Sequence, residues 1–87
     1  MSNAATTTDH DIVKKWIEAR QGRPSVIRTK GKGGLLHVDF GEPEDDFEEI
    51  GWDDFFKIFD DNRLAFLYQD QTKEGGTSRF NKFVERE

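Results

Sequence analysis

The sequence predicts a small α+β domain in which two helices cover one face of a four-stranded, mostly antiparallel sheet. Apolar residues recur at helical spacing in two segments, and each segment is followed by two short strand-like segments with glycine-containing loops. The predicted order is therefore α-β-β-α-β-β, and a chain of 87 residues corresponds to one domain. We expect residues 1–7 to be a disordered lead-in and residues 8–87 to form the domain.

The first predicted helix follows Thr8, which is a suitable N-cap residue. Trp16 and Ile17 lie on its apolar stripe, and charged residues occupy the opposite side. Gly22 and Pro24 then end the helix, since neither residue type favours a helix interior.

The predicted strands form two hairpins. Residues 25–29 and 35–40 make the first hairpin, joined by the flexible Gly-Lys-Gly-Gly turn at residues 31–34. Residues 64–68 and 78–84 make the second, with a glycine-containing loop between them.

The second predicted helix has the strongest periodicity in the chain and covers residues 51–61. Its aromatic residues recur at i, i+3, i+4 and i+7, and they are Trp52, Phe55, Phe56 and Phe59. Asn62 is a plausible end to this helix. We expect these rings to be packed in the core, and we expect Tyr68 and Phe83 to be the more exposed aromatic residues.

The composition predicts a modest core built mainly from aromatic rings. Mean hydropathy is −0.86, but the chain has eight Phe, two Trp and one Tyr, and each ring buries a large apolar area. The chain has no cysteine, which excludes disulfides and thiolate chemistry and favours a reducing cytoplasm. No apolar run reaches the roughly 20 residues of a membrane span, and we expect a monomer with no membrane partner.

Acidic and basic residues are segregated along the chain, whose net charge is −5. From Lys14 to His37 there are seven Lys or Arg and one acid, whereas from Asp39 to Asp61 there are eleven acids and one Lys. Three interpretations remain open: solvated faces that neutralise each other, a site for a partner, and metal binding in the acidic loop.

The favoured functional hypothesis is a non-enzymatic binding or accessory module with a basic helix-hairpin surface for a nucleic acid or another anionic partner. The candidate anion-binding residues are Arg20, Arg23, Arg28, Lys30, Lys32, Arg79 and Lys82. A sequence pI near 5.0 argues against a dedicated nucleic-acid module. The alternative is a protein-protein adaptor acting through the acidic loop 41–50, with Asp45, Asp46 and Glu48 as contact residues. A small enzyme ranks third.

Motifs for metal, phosphate and nucleophile chemistry do not meet their spacing requirements. The acidic run has Pro43 and Phe47 at inner positions and lacks the mid-loop glycine of a calcium loop. The turn at residues 31–34 lacks the Ser or Thr and the following helix of a phosphate loop. His10 and His37 have no serine in a nucleophile turn, which indicates surface residues. We therefore predict no catalytic residue, metal or cofactor.

Five segments together resemble a known family. They are Val-Lys-Lys-Trp-Ile-Glu-Ala-Arg with Gly-Arg-Pro within residues 13–24, Leu-His-Val-Asp-Phe at 36–40, Gly-Trp-Asp-Asp-Phe-Phe at 51–56, Leu-Ala-Phe-Leu-Tyr-Gln-Asp at 64–70 and Ser-Arg-Phe-Asn-Lys-Phe-Val at 78–84. They resemble small bacterial proteins of uncharacterised function, some of which carry the label 1,4-alpha-glucan branching enzyme. The resemblance implies no established active site. We reject the enzyme label because branching enzymes use a (β/α)₈ barrel of roughly 200 residues or more.

Overall fold

The structure, a computed structural model, describes residues 4–27, 35–41 and 47–86. In chain order, these residues form β1 (Ala5–Thr7), α1 (His10–Ala19), β2 (Arg23–Ile27), β3 (Leu35–Asp39), β4 (Phe47–Glu49), α2 (Trp52–Asp61), β5 (Leu64–Tyr68) and β6 (Asn81–Glu85). The predicted α+β class is confirmed. Neither helix of this described part is long and apolar enough to cross a membrane.

The strands form two three-stranded antiparallel sheets, with the orders β1-β5-β6 and β3-β2-β4. The prediction of one four-stranded sheet is wrong. It counted only the four strands of the two hairpins, whereas the described residues form six strands in two sheets. Two additional three-residue strands, β1 and β4, occupy the free edges of β5 and β2. The hairpins therefore stay in separate sheets, and β3 and β6 are open edges with respect to the described strands.

Strand β1 lies inside the segment for which the sequence predicts disorder. It pairs with β5 from Ala5 opposite Tyr68 to Thr7 opposite Phe66. β-branched threonines fit a half-exposed strand, and no strand is predicted here from the sequence. Residues 1–3 lie outside the described residues.

The N-cap residue of helix α1 is Asp9 rather than the predicted Thr8. The Asp9 carboxylate accepts hydrogen bonds from the backbone N–H groups of Asp11 and Ile12, at 2.9 and 3.3 Å. A carboxylate at this position also interacts favourably with the positive end of the helix. The N-cap is therefore one residue later than expected.

The end of α1 has two hydrogen bonds that define a Schellman motif. The Gly22 N–H donates to the Ile17 carbonyl at 2.9 Å, and the Gln21 N–H donates to the Glu18 carbonyl at 3.0 Å. Gln21, with a φ of 58°, takes the left-handed position that glycine often occupies. Gly22 is required by close packing instead, since an added Cβ would lie 2.9 Å from both Ile17 and Val38.

Helix α2 begins at Trp52 and ends before Asn62, close to the predicted bounds. Its aromatic stripe faces the core: Phe55 and Phe59 are fully buried, and Trp52 and Phe56 are half-buried against them. Both helices contribute to one core cluster that also includes strand residues.

The prediction that Tyr68 and Phe83 are exposed is wrong. Their rings lie 5.7 and 5.4 Å from the ring of the fully buried Phe66. Phe80 is the more exposed ring, at 47%. It falls before β6, where its N–H donates to the Ser78 hydroxyl at 3.1 Å. This local turn explains why β6 starts at Asn81, later than predicted.

Strand β2 starts at Arg23 and is the central strand of its sheet, and its second residue is Pro24. Proline cannot donate to a sheet ladder and is uncommon in central strands. Here the Ile50 N–H, just beyond β4, donates to the Pro24 carbonyl at 2.9 Å. Pro24, which has no N–H to donate, therefore lies at the end of the short β2–β4 ladder.

Candidate functional site

A groove of about 800 Å³ lies between the open edges of β3 and β6 and is called the interstrand groove below. Its volume is within the range of ligand sites. The lining residues are Leu35, Leu36, His37, Val38, Asp39, Phe40, Gly41, Phe47, Leu64, Arg79, Asn81, Lys82 and Phe83.

The hydrogen-bond ladder fixes which backbone groups of β3 face this groove. The bond from Ile50 to Pro24 shows that residues 24 and 26 of β2 direct their backbone groups toward β4. Since direction alternates along a strand, residues 23, 25 and 27 bond to β3. In the β2–β3 register, Val38 lies opposite Pro24 and Leu36 lies opposite Val26. The N–H and C=O groups of Leu36 and Val38 therefore point away from β2.

The same argument applies to β6 on the other wall. The Arg86 N–H donates to the Arg63 carbonyl at 2.8 Å, in continuation of the β5–β6 register. Alternation then directs the backbone groups of Lys82 toward β5 and those of Asn81 and Phe83 away from it. Each wall of the interstrand groove therefore presents backbone donors and acceptors that no described strand pairs.

The side chains of the groove divide into an apolar inner wall and a polar rim. Val38, Phe40 and Phe83 belong to the core cluster or pack against it. Leu35, which is 62% exposed, and Lys82 lie on the strand faces opposite the core residues. The groove therefore reaches from solvent to the edge of the hydrophobic core.

Two of the predicted anion-binding residues lie in this groove. The Arg79 guanidinium carbon lies 5.4 Å from the centre of the Phe40 ring, a cation–π contact. Lys82 is exposed on β6. Neither forms an ion pair with a described residue. These two cations are therefore available to a partner.

Arg20, another of the predicted anion-binding residues, is engaged in contacts within the fold. Its side chain is 9% exposed, and its guanidinium donates to the Ser78, Trp16 and Asp70 carbonyls at 2.6, 3.1 and 2.9 Å. Burial lowers the pKa of the Arg20 guanidinium, and the nearby Asp70 charge opposes this shift. These donors already bind backbone oxygens, which argues against the predicted anion-binding role of Arg20.

Arg23 is neutralised inside the sheet. Its guanidinium lies 3.3 Å from the Asp39 carboxylate and 4.0 Å from the Glu49 carboxylate, and all three side chains share one face. Asp39 is also held by the Gly41 N–H at 2.9 Å. This result agrees with the open interpretation that basic and acidic segments neutralise each other, and Arg23 is not among the residues that line the interstrand groove.

The remaining predicted residues divide between undescribed segments and β4. Arg28, Lys30, Lys32, Asp45 and Asp46 lie outside the described residues. Glu48 is exposed on β4, at the edge of its sheet opposite β3. Glu48 therefore lies at the edge of this sheet away from the interstrand groove, and the adaptor hypothesis stays a prediction.

The two histidines occupy different places. The His37 ring lies in the interstrand groove, with its centre 4.1 Å from that of Phe47. The His10 ring stacks on Phe56 at 4.0 Å, and its Nε2 lies 3.0 Å from an Asp60 carboxylate oxygen. Within the described ranges, no three His, Asp or Glu side chains group as metal ligands.

No sequence pattern indicates the interstrand groove directly, because alternation places a residue on a face of a strand but does not show which strand edges remain open. No protein-family model, curated protein or solved structure matches this chain significantly. The resemblance to small bacterial proteins, the monomeric state and the cytoplasmic location stay predictions.

Proposed function

We propose that this chain is a non-enzymatic binding module that takes an anionic partner in the interstrand groove. The observation that supports this proposal is the position of Arg79 and Lys82, two cations without a carboxylate partner among the described residues, on the same groove. A charge that the fold leaves uncompensated contributes to partner attraction and orientation. The rest of the groove offers apolar contacts and backbone hydrogen bonds, which suit binding.

The net charge of −5 limits how this site works. The whole molecule repels anions at long range, so attraction depends on contacts within about one Debye length of the two cations. We therefore expect binding that weakens as salt is added and that depends on Arg79 and Lys82 individually.

Fluorescence anisotropy with two labelled anionic probes tests the proposal. The probes are an alternating Glu-Val octapeptide and an eight-residue oligothymidylate, each titrated at about 50 mM salt, where charge contacts remain strong. We expect at least one probe to bind. Failure of both to bind would contradict the proposal.

A matched pair of double variants localises the site. Arg79→Gln with Lys82→Gln should weaken binding about tenfold, since each exposed ion contact contributes roughly 0.5–1 kcal/mol. Lys15→Gln with Lys73→Gln removes the same charge from exposed positions outside the groove and should change the affinity less than about twofold. Equal losses in both variants would indicate a diffuse charge effect and no site at the groove.

A further inference from the structure

From the open backbone edges of the interstrand groove, we infer that its partner is an extended acidic peptide that binds as an added β-strand. This inference rests on the proposed function and specifies the partner. It depends on three features of the groove: backbone groups that no described strand pairs, alternating side-chain surfaces and the placement of charge.

The backbone groups favour a peptide over a nucleic acid. Leu36 and Val38 on one wall, and Asn81 and Phe83 on the other, direct both donors and acceptors away from their paired strands. An extended peptide presents N–H and C=O groups in the complementary alternation. A phosphate backbone offers acceptors only, so it would leave the strand carbonyls without donors.

The side chains of the groove match a peptide with two different faces. Successive residues of a strand point to opposite sides. One side of a bound strand would meet the apolar inner wall at Val38, Phe40 and Phe83. The other side would point toward solvent and the rim, where Lys82 lies. A peptide that alternates apolar and acidic residues fits both surfaces.

Charge also selects the acidic peptide. Arg79 precedes β6 and lies over Phe40, which follows β3, so its guanidinium marks one end of the groove. Asp39 is the carboxylate among the lining residues, and its ion pair with Arg23 reduces its repulsion of an acidic ligand. The described charges of the groove therefore favour carboxylate side chains.

Three probes separate this inference from the broader proposal. They are the alternating Glu-Val octapeptide, a peptide of equal composition with the order Glu-Glu-Val-Val repeated, and the eight-residue oligothymidylate. We expect the alternating peptide to bind at least about tenfold more tightly than either other probe, a difference of about 1.4 kcal/mol. Comparable binding of the oligothymidylate or the reordered peptide would overturn strand addition while the anion-binding proposal stands. Binding of none of them would defeat both.

Amide hydrogen exchange supplies a direct test of strand addition. Saturation with the alternating peptide should slow exchange at Leu36 and Val38 if β3 receives the strand, or at Asn81 and Phe83 if β6 does. Added protection at either pair supports the inference. A bound peptide that protects neither pair would overturn it, whatever its affinity. Alternate N-methylation of the peptide backbone should weaken its binding about tenfold or more, because it removes the required donors.

Discussion

The Arg20 guanidinium lies 4.1 Å from the centre of the Trp16 indole, and the two side chains together fasten the end of α1 to the connection between β5 and β6. The Trp16 Nε1–H donates to the Gln69 carbonyl at 3.3 Å, beside the carbonyls of Asp70 and Ser78 that receive Arg20. One helical turn thus supplies several donors to the carbonyls of this connection, where the Asp70 carbonyl also accepts from the Ser78 N–H at 3.1 Å. The arrangement explains why a residue expected at a binding surface is nearly buried.

We predict that Arg20→Ala lowers the free energy of unfolding by about 2–4 kcal/mol, since hydrogen bonds from a charged donor are worth roughly 1.5–3 kcal/mol each and are not additive. Arg20→Lys should recover only part of this loss because an ammonium cannot reproduce the planar fork. Urea unfolding followed by circular dichroism measures both. The exposed Lys15→Ala variant is the control, and a loss no larger than the control's would show that the contacts contribute little.

We predict opposite effects on stability for substitutions at two neighbouring positions at the end of α1. Gly22→Ala should destabilise by about 1–3 kcal/mol, because its Cβ would lie 2.9 Å from both Ile17 and Val38. Gln21→Gly should be neutral or stabilise by up to about 1 kcal/mol, because Gln21 has a φ of 58°. Thermal unfolding of the two variants checks this prediction. A gain at Gly22→Ala would contradict the tight packing.

Asp60 predicts a specific loss of stability in acid. The hydrogen bond from His10, and to a smaller extent the one from Arg86, holds the pKa of the Asp60 carboxyl below its ordinary 3.8. A carboxyl whose pKa is lowered by folding stabilises the protein above the unfolded pKa and loses that contribution as the pH falls through the folded pKa. The stability difference between wild type and Asp60→Asn should therefore shrink below about pH 4.

Urea unfolding from pH 7 to pH 2.5 measures this difference. Asp61→Asn is the matched control, since Asp61 is exposed and pairs with the exposed Lys57 at 3.1 Å. Its stability difference from wild type should be small at neutral pH. A gap for Asp60→Asn that stays constant through pH 3 would contradict the assigned role of the carboxylate.

The buried and exposed phenylalanines of the second hairpin should differ strongly in sensitivity. Phe66 is fully buried, with its ring 5.3 Å from that of Trp16, whereas Phe80 is 47% exposed. We expect Phe66→Leu to cost about 1–2 kcal/mol through lost packing, and Phe80→Leu to change stability by less than about 0.5 kcal/mol. Chemical unfolding tests this contrast, which equal losses would contradict.

The elements with strong periodicity could be predicted closely from the sequence. The aromatic spacing from Trp52 to Phe59 located α2, and the residues from Leu64 to Tyr68 form β5 as predicted. Both patterns are local, since they depend on spacing within one turn or one strand. By contrast, β1 and β4 have three residues each, too few for a periodic signal, and their pairing with distant strands created the two-sheet arrangement.

The candidate site could be predicted only in part. Charge counting selected Arg79 and Lys82 as candidates, and both line the interstrand groove. It could not show that Arg20 binds carbonyls about fifty residues away or that Arg23 pairs with Asp39. A sequence shows which side chains are charged, whereas tertiary contacts decide which charges are already compensated.

The facing of β3 and β6 across one groove also bears on how readily copies of this chain could pair through these strand edges. An open strand edge on a flat outer surface can template pairing with another molecule and start aggregation. Here the edge of β3 faces the edge of β6 across the groove. Lys82 lies beside the opening, and lysine is a residue type that discourages edge-to-edge pairing of strands. We therefore expect this recess to admit a single narrow strand more readily than the edge of a whole second sheet.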